Sequence, residues 1–252
     1  MTSKSQIKYY SALKLKKYRK FERKFLAEGK RLIEEGIKSN YECDRVFITQ
    51  PFYNVEGKFL LEITNKNIPV DIIPLYDLLK FTSTKNPQGI IAVFKMTNNK
   101  PNLVKKKAII GLENISDPGN LGTILRSCDW FGIKDVMISE GSAEIYNPKV
   151  LRASMGAVFN LNIFEDADLI NGIKILKNKN YAAFYADMIG LNYKKINWRK
   201  NTIVTFCNEA KGPSDELKEV CETSLTIPKK GNIDSLNVAA AAAIIISEMQ
   251  LS

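Results

Sequence analysis

The sequence predicts an α/β protein: a C-terminal domain built on a parallel sheet, preceded by a smaller α/β domain. Two observations carry this. From residue 107 onward, apolar runs rich in Val and Ile recur at 107–112, 135–139, 181–186, 201–207 and 224–227. Helical stretches fall between most of them, at 121–130, 148–158, 169–177 and 215–222, with a last helix from about 236 to 249. Strands alternating with helices imply a parallel sheet covered on both faces. The second observation is the stretch 97–107 (TNNKPNLVKKK), which is polar, basic and contains Pro101, and so reads as a connection. It divides the chain into a first domain at 1–97, a linker at 98–106 and a second domain at 107–252.

Within the first domain the pattern predicts a helix over 9–23 and another over 25–39 (FLAEGKRLIEEGIKS). A strand follows at 45–49, a helix at 57–65 and a strand at 70–73. A short helix at 75–81 and a strand at 89–96 complete it. No internal repeat is visible.

The composition narrows the chemistry. The 252 residues include 37 Lys and Arg against 27 Asp and Glu, a formal charge of +10. Such an excess suits a polyanionic partner, because Lys and Arg release counterions condensed on phosphates. The total by itself fits simple solubility equally well, and its distribution says more. Residues 1–31 carry eleven Lys or Arg against Glu22 and Glu28, interleaved with Tyr9, Tyr10, Tyr18, Phe21 and Phe25. Cations with rings suit RNA, whose bases stack while its phosphates pair; rings facing a helical core would give the same pattern. Histidine is absent, which excludes Ser-His-Asp triads, HExxH zinc sites and any His general base. The four cysteines have no CxxC spacing and read as reduced thiols, with no metal site implied. The longest apolar run, 238–246, is far short of the ~20 residues that span a bilayer. A cytoplasmic protein without a membrane partner is expected.

Three loops at predicted strand ends hold the candidate chemistry, since ligands of parallel sheets sit at the carboxyl ends of the strands. The first, 114–132 (NISDPGNLGTILRSCDWFG), runs from a strand into a helix. Its Asp117-Pro118-Gly119-Asn120 is turn chemistry, and no Walker A or GxGxxG pattern is present. Arg126 lies six residues after Asn120. The second loop, 205–212 (TFCNEAKG), places Asn208 and Glu209 at the end of a buried strand. In the third, 227–243 (IPKKGNIDSLNVAAAAA), Gly231 permits a reversal, Ser235 is placed to cap the last helix, and the alanines let that helix pack closely.

Together these loops resemble the SpoU (TrmH-like) family of RNA 2′-O-ribose methyltransferases. The family carries an N…GN(L/I)G…R segment, a G(N/A)E-x-x-G segment and an IP-x-x-G-x-x-SLNV segment, and 146–159 (YNPKVLRASMGAVF) is also similar to it. In the first domain, 25–37 (FLAEGKRLIEEGI) and 86–94 (NPQGIIAVF) resemble the ribosomal-protein-like substrate-binding domain found ahead of many such catalytic domains. The resemblance implies a deep trefoil knot at the carboxyl end, S-adenosyl-L-methionine held bent within it, and a homodimer. It implies structured RNA as substrate, ribosomal RNA in preference to transfer RNA. By position, Arg126, Asn120, Glu209, Ser235 and Asn237 fall on the family's catalytic polar positions. Cys207, Asn208, Gly212, Ile227, Gly231, Leu236 and Val238 fall on its cofactor segments. Where the family usually has Gly this chain has Cys207, and often also Ala210, so a Cβ at 207 is expected to narrow the space beside the donor.

Methyl transfer from a sulfonium to a ribose hydroxyl is an in-line displacement, so the protein must mainly align the two and help remove a proton. Two roles are open to Arg126. Its planar fork suits the phosphate beside the target ribose, or it takes the proton itself, which requires a strongly perturbed guanidinium. The rival from another class is an RNA-binding protein that kept the fold and lost the donor site. Direct binding of labelled S-adenosylmethionine separates the two.

Overall fold

A computed structural model of the chain describes residues 2–97, 108–198 and 201–251. The linker expected at 98–106 lies outside them. In chain order the elements are α1 (Lys4–Ala12), α2 (Lys16–Glu22), β1 (Lys24–Glu28), α3 (Lys30–Lys38), β2 (Cys43–Ile48), α4 (Gln50–Val55), α5 (Gly57–Asn65), β3 (Val70–Ile72), α6 (Leu75–Phe81) and β4 (Ile90–Lys95). Then come β5 (Ala108–Glu113), α7 (Pro118–Trp130), β6 (Asp135–Ser139), α8 (Pro148–Ser154), β7 (Asn162–Ala167), α9 (Leu169–Lys177), β8 (Ala182–Asn192), β9 (Thr202–Cys207), α10 (Asp215–Val220), β10 (Thr223–Thr226) and α11 (Val238–Leu251). None of the described helices is long and apolar enough to cross a membrane.

The chain forms two compact units, Met1–Asn98 with Tyr146–Phe159, and Asn99–Ile145 with Asn160–Ser252. The segment carrying α8 thus packs with the first unit although it lies within the second in sequence. A mixed sheet of order β1-β4-β2-β3 forms the frame of the first unit. Phe25 and Leu26 of β1 are both buried because both faces of the sheet are covered. On one face Leu26, Phe47, Ile91 and Val93 meet Ile7, Tyr10 and Leu13 of the N-terminal segment and Leu78 and Phe81 of α6. On the other, Phe25 stacks on Tyr146 at 4.4 Å, with Phe94 and Phe159 close by.

Two expectations for this unit fail for identifiable reasons. The helix expected over 9–23 is broken into α1 and α2. The buried guanidinium of Arg19 donates to the carbonyl oxygens of Leu13 (3.0 Å) and Lys14 (2.6 Å), which an unbroken helix would give to residues four further on. Residues 25–28, expected as helix, are strand β1, paired antiparallel with β4 from Phe25↔Phe94 to Glu28↔Ile91. Arg23, at φ 53°, ends α2 in the left-handed region and turns the chain into the strand. A short apolar run buried on both faces carries no periodicity that separates helix from strand.

The second unit has a six-stranded sheet of order β10-β8-β9-β5-β6-β7, and every neighbouring pair is parallel. The inner strands β5 and β9 are almost wholly buried, as helices on both faces require. One covering layer, from α9 and α10, closes over Ile109, Met137, Ile203 and Cys207 with Ile173, Leu176 and Leu217. Strand β7 escaped the sequence pattern because Glu165 and Asp166 interrupt a short edge strand. With all strands parallel, their carboxyl ends share one rim, where the three motif loops emerge.

Candidate functional site at the carboxyl ends of the strands

Adjacent central strands set the first two loops side by side. Glu113 ends β5 and pairs in register with Cys207, which ends β9. After Glu113 the chain turns at Asn114, whose φ of 55° is left-handed. Asp117 then caps α7 by accepting the Asn120 backbone N–H at 2.8 Å, so Asn120 lies on the first turn of the helix. In the second loop Asn208 is the organiser. Its Nδ2 donates to the Asn114 carbonyl and to Ser116 Oγ, both at 3.1 Å. Its Oδ1 accepts from the N–H of Ala210 (2.9 Å) and Lys211 (3.2 Å), an Asx turn that Gly212, at φ 68°, completes.

Residues from all three loops meet in one node. Asn120 Nδ2 donates to Glu209 Oε1 at 3.1 Å, and Asn237 Nδ2 donates to Asn120 Oδ1 at 3.0 Å. The same Glu209 oxygen accepts the Val238 backbone N–H at 3.1 Å, and Asn237 Oδ1 accepts that of Ala239 at 2.9 Å. The start of α11 is therefore capped by Asn237 and Glu209. Ser235, expected as the cap, lies two residues before Asn237 and is exposed. A carboxylate at this end of the helix is electrostatically favourable as well as hydrogen-bonded.

The third loop leaves β10 at the edge of the sheet, separated from β9 by β8. Loops two and three thus do not leave neighbouring strands, and residues 227–237 bring the chain back to the node. Ile227 is half-buried, Gly231 and Ser235 are exposed, Leu236 is 41% exposed and Val238 is buried. Added Cβ atoms at Gly212 or Gly231 would meet nothing within 4 Å, so both segments face open space. Half-exposed Ile227 and Leu236, loop backbone and the Glu209 carboxylate suit a ligand that joins an apolar ring to positive charge. S-adenosylmethionine is such a ligand, and these segments fit it.

Arg126 does not join the node. It is exposed on α7, one turn before Trp130, which is 81% exposed. Six residues rotate it well away from Asn120 around the helix. The Cys207 side chain is buried in the cluster with Leu217 and Cys221. Burial, reinforced by the Glu113 carboxylate, raises its thiol well above the ordinary range.

One residue escaped sequence reasoning. Glu113 is 6% exposed and accepts from Ser214 N–H (3.0 Å) and Ser214 Oγ (2.6 Å), closing the second loop against the first strand. The available signal was a single carboxylate ending the apolar run AIIGLE. Among the described residues, no group of three or more His, Cys, Asp or Glu is placed to hold a metal ion.

With the geometry in hand, comparison with known proteins is direct. Residues 4–92 match the MRM3-like substrate binding domain. The chain is 29% identical over 254 aligned residues to the 23S rRNA (guanosine(2553)-2′-O)-methyltransferase RlmP of Bacillus subtilis, covering 97% of this chain and 96% of that protein. The structure of a putative RNA methyltransferase of the TrmH family from Porphyromonas gingivalis superposes with a TM-score of 0.87 at 30% identity, over 99% of this chain and 98% of that one. An rRNA methyltransferase from Sinorhizobium meliloti, crystallised with bound S-adenosylmethionine, shares the fold with a TM-score of 0.86 at 24% identity, over 99% of this chain and 96% of that one. The model of the SpoU rRNA methylase family matches residues 107–247, more than half of the chain and all three motif loops, and the chain belongs to that family.

Proposed function

We propose that this S-adenosylmethionine-dependent RNA methyltransferase of the SpoU family modifies the ribose 2′-OH of a nucleotide in 23S ribosomal RNA. The observation that carries this is the node at the sheet rim, where Asn120, Glu209 and Asn237, far apart in sequence, are hydrogen-bonded beside the two open loop segments. The similarity to RlmP over nearly the full length of both chains supports the ribosomal substrate and the ribose hydroxyl. The match of residues 4–92 to a substrate-binding domain supports assigning residues 1–97 to RNA capture and 107–252 to catalysis. The knot implied for the carboxyl-terminal part belongs to the same proposal. So does a homodimer, which exposed Trp130 on α7 and Leu251 on α11 support.

S-adenosylmethionine supplies an activated methyl group and its own leaving group. The chain has to hold, orient and exclude water. The backbones around Cys207, Asn208 and Gly212, together with Ile227, Gly231, Leu236 and Val238, are assigned to holding it. Glu209 and Asn237 fix the start of α11 against Asn120, so both donor-facing loops are set before substrate arrives. Arg126 projects from α7 outside this network, with its guanidinium unspent on the node. That position suits a group that binds the phosphate next to the target ribose and orients the hydroxyl.

The test is to map 2′-O-methylation across total RNA from cells with and without the protein. A single nucleotide of 23S rRNA that loses its methyl group in the deletion strain, and regains it on incubation with purified protein and S-adenosylmethionine, is expected. An unchanged map of ribosomal RNA overturns the proposal, and a loss confined to transfer RNA redirects it.

A further inference from the structure

Where α1 meets α6, the first unit has an open cleft of about 390 Å³ lined by Lys4, Ile7, Lys8, Ser11, Lys14 and Lys80. Ile7 is buried, and the rest of the lining is Ser11 and the four lysines. Lys4, Lys8 and Lys14 are exposed, and no ion pair holds any of them among the described residues. Lys80 pairs with Asp77 at 2.6 Å, so the four lysines that line the cleft have one carboxylate partner between them.

This placement works against the helix that carries it. Lys4 and Lys8 stand one turn apart on the same side of α1, an arrangement in which like charges repel. Lys4 also occupies the first turn, where the helix dipole disfavours a cation and no acidic residue is present. Ser3 and Gln6 close a full capping box there, which holds the helix together despite its charges. A bound anion would relieve both repulsions.

We propose that this cleft seats consecutive phosphates of the substrate RNA backbone. The inference rests on the assignment of the chain as an RNA methyltransferase and names the surface that grips the RNA. Extended RNA, more than an isolated anion, suits a cleft whose Lys80 ammonium lies 5.5 Å from the ring centroid of Tyr76, which is 66% exposed. An aromatic face beside a phosphate track offers a base or ribose somewhere to stack. Lysines are point charges without a fork, so the seat contributes affinity and register and carries no base preference.

The full-length protein with Lys4→Gln, Lys8→Gln and Lys14→Gln tests this, because glutamine keeps helix propensity and removes charge. The probe is an unmethylated 23S rRNA transcript, bound to filters at several salt concentrations between about 50 and 200 mM. Three lost phosphate contacts should flatten the slope of log affinity against log salt by about 2 to 3 and weaken binding about tenfold or more. The KM for RNA should rise accordingly, with kcat and the Kd for S-adenosylmethionine unchanged. Lys174→Gln, Lys179→Gln and Lys195→Gln, three exposed lysines of the second unit, make the control, and should leave the slope close to that of the unmodified protein. Equal slope and affinity in cleft variant and wild type, with wild-type turnover intact, overturns the seat and leaves the enzymatic assignment standing. A control triple that flattens the slope as much as the cleft triple also overturns it. So does loss of binding to phosphatidylserine vesicles alone, with RNA affinity intact, since the cleft then serves a membrane surface. A wild-type protein that neither binds nor methylates any RNA overturns the assignment and the seat with it.

Discussion

At the carboxyl end of the parallel sheet, Asn120, Glu209 and Asn237 hold one another through hydrogen bonds of 3.0 and 3.1 Å, and a third bond fixes the first N–H of α11. Along α1 the exposed lysines form no ion pair among the described residues, and their nearest like-charged neighbour is one turn away. Both regions are polar and solvent-facing, yet one spends its side chains on each other and the other keeps them free. The difference follows from what each must do. Transfer of a methyl group demands donor and acceptor placed to a fraction of an ångström, so the loops around them are tied down beforehand. Capture of a polyanion demands charge density and tolerates imprecision, because counterion release does not depend on exact geometry.

The largest expected effect separates these two modes within the second unit. Arg126→Ala should lower kcat by about 10² to 10³-fold, in the range seen when a transition-state electrostatic contact is lost. Binding of S-adenosylmethionine should be unchanged, since Arg126 stands outside the node. Single-turnover kinetics with a donor titration measures both, and turnover near wild type removes Arg126 from the reaction. Arg126→Lys sharpens the test: it keeps the charge and loses the fork, so an equally severe defect identifies two-point phosphate recognition as the need.

Breaking the node should act differently. Glu209→Ala removes the acceptor shared by Asn120 and Val238, with a cost of about 1 kcal/mol from the lost cap. At about 2–4 °C per kcal/mol for a chain of this size, Tm should fall by a few degrees. Donor affinity should fall with it, and a double-mutant cycle with Asn120→Ala should show non-additive losses because the two share a bond. Full additivity in both readouts would mean the node is incidental.

Cys207→Gly restores the residue usual in the family. Because the thiol is packed against Leu217 and Cys221, the change should cost about 2 kcal/mol through lost burial and a glycine in a central strand. Donor Kd measured by calorimetry should stay within about twofold, the scatter of context effects. A donor bound tenfold more tightly would show that the Cβ does crowd the loop. The last effect is confined to alkaline pH. Burial raises the thiols of Cys43 and Cys221 to about 12, from an ordinary 9.0. The unfolded chain then ionises first, so these thiols contribute stability that is complete below pH 9 and is lost as pH rises toward 12. Denaturant midpoints measured across that window, against Cys43→Ala and Cys221→Ala, should show less alkaline loss in the variants.

The segment at 146–159 shows where linear order misleads. It follows β6 in sequence, and its resemblance to the catalytic family invites placing it with the second unit. Yet Tyr146 and Phe159 join the aromatic cluster around Phe25 and Phe94, and a glycine is needed at position 36 because a Cβ there would come within 2.5 Å of Phe94 and 2.9 Å of Phe159. A boundary drawn at a polar, proline-bearing stretch cannot register a later return of the chain.

By itself the sequence determined the parallel sheet, through alternating apolar runs and helices, and the order of the three motif loops, because residue types at fixed spacing are a local property. It also determined the shortage of bases, since a chain without histidine has few groups that exchange protons near neutrality. Only the tertiary structure decided which residues cap α11. Ser235 and Asn237 are equally good cap formers in isolation, and the choice fell to Asn237 because Asn120 and Glu209, distant in sequence, stand beside it. The same holds for Cys207, whose burial depends on helices α9 and α10 closing over the sheet. It holds for residues 25–28 as well, strand and not helix because β4 offers an unpaired edge some seventy residues later. Propensity and periodicity are sums over near neighbours, whereas caps, burial and strand pairing are set by partners that only folding brings within reach.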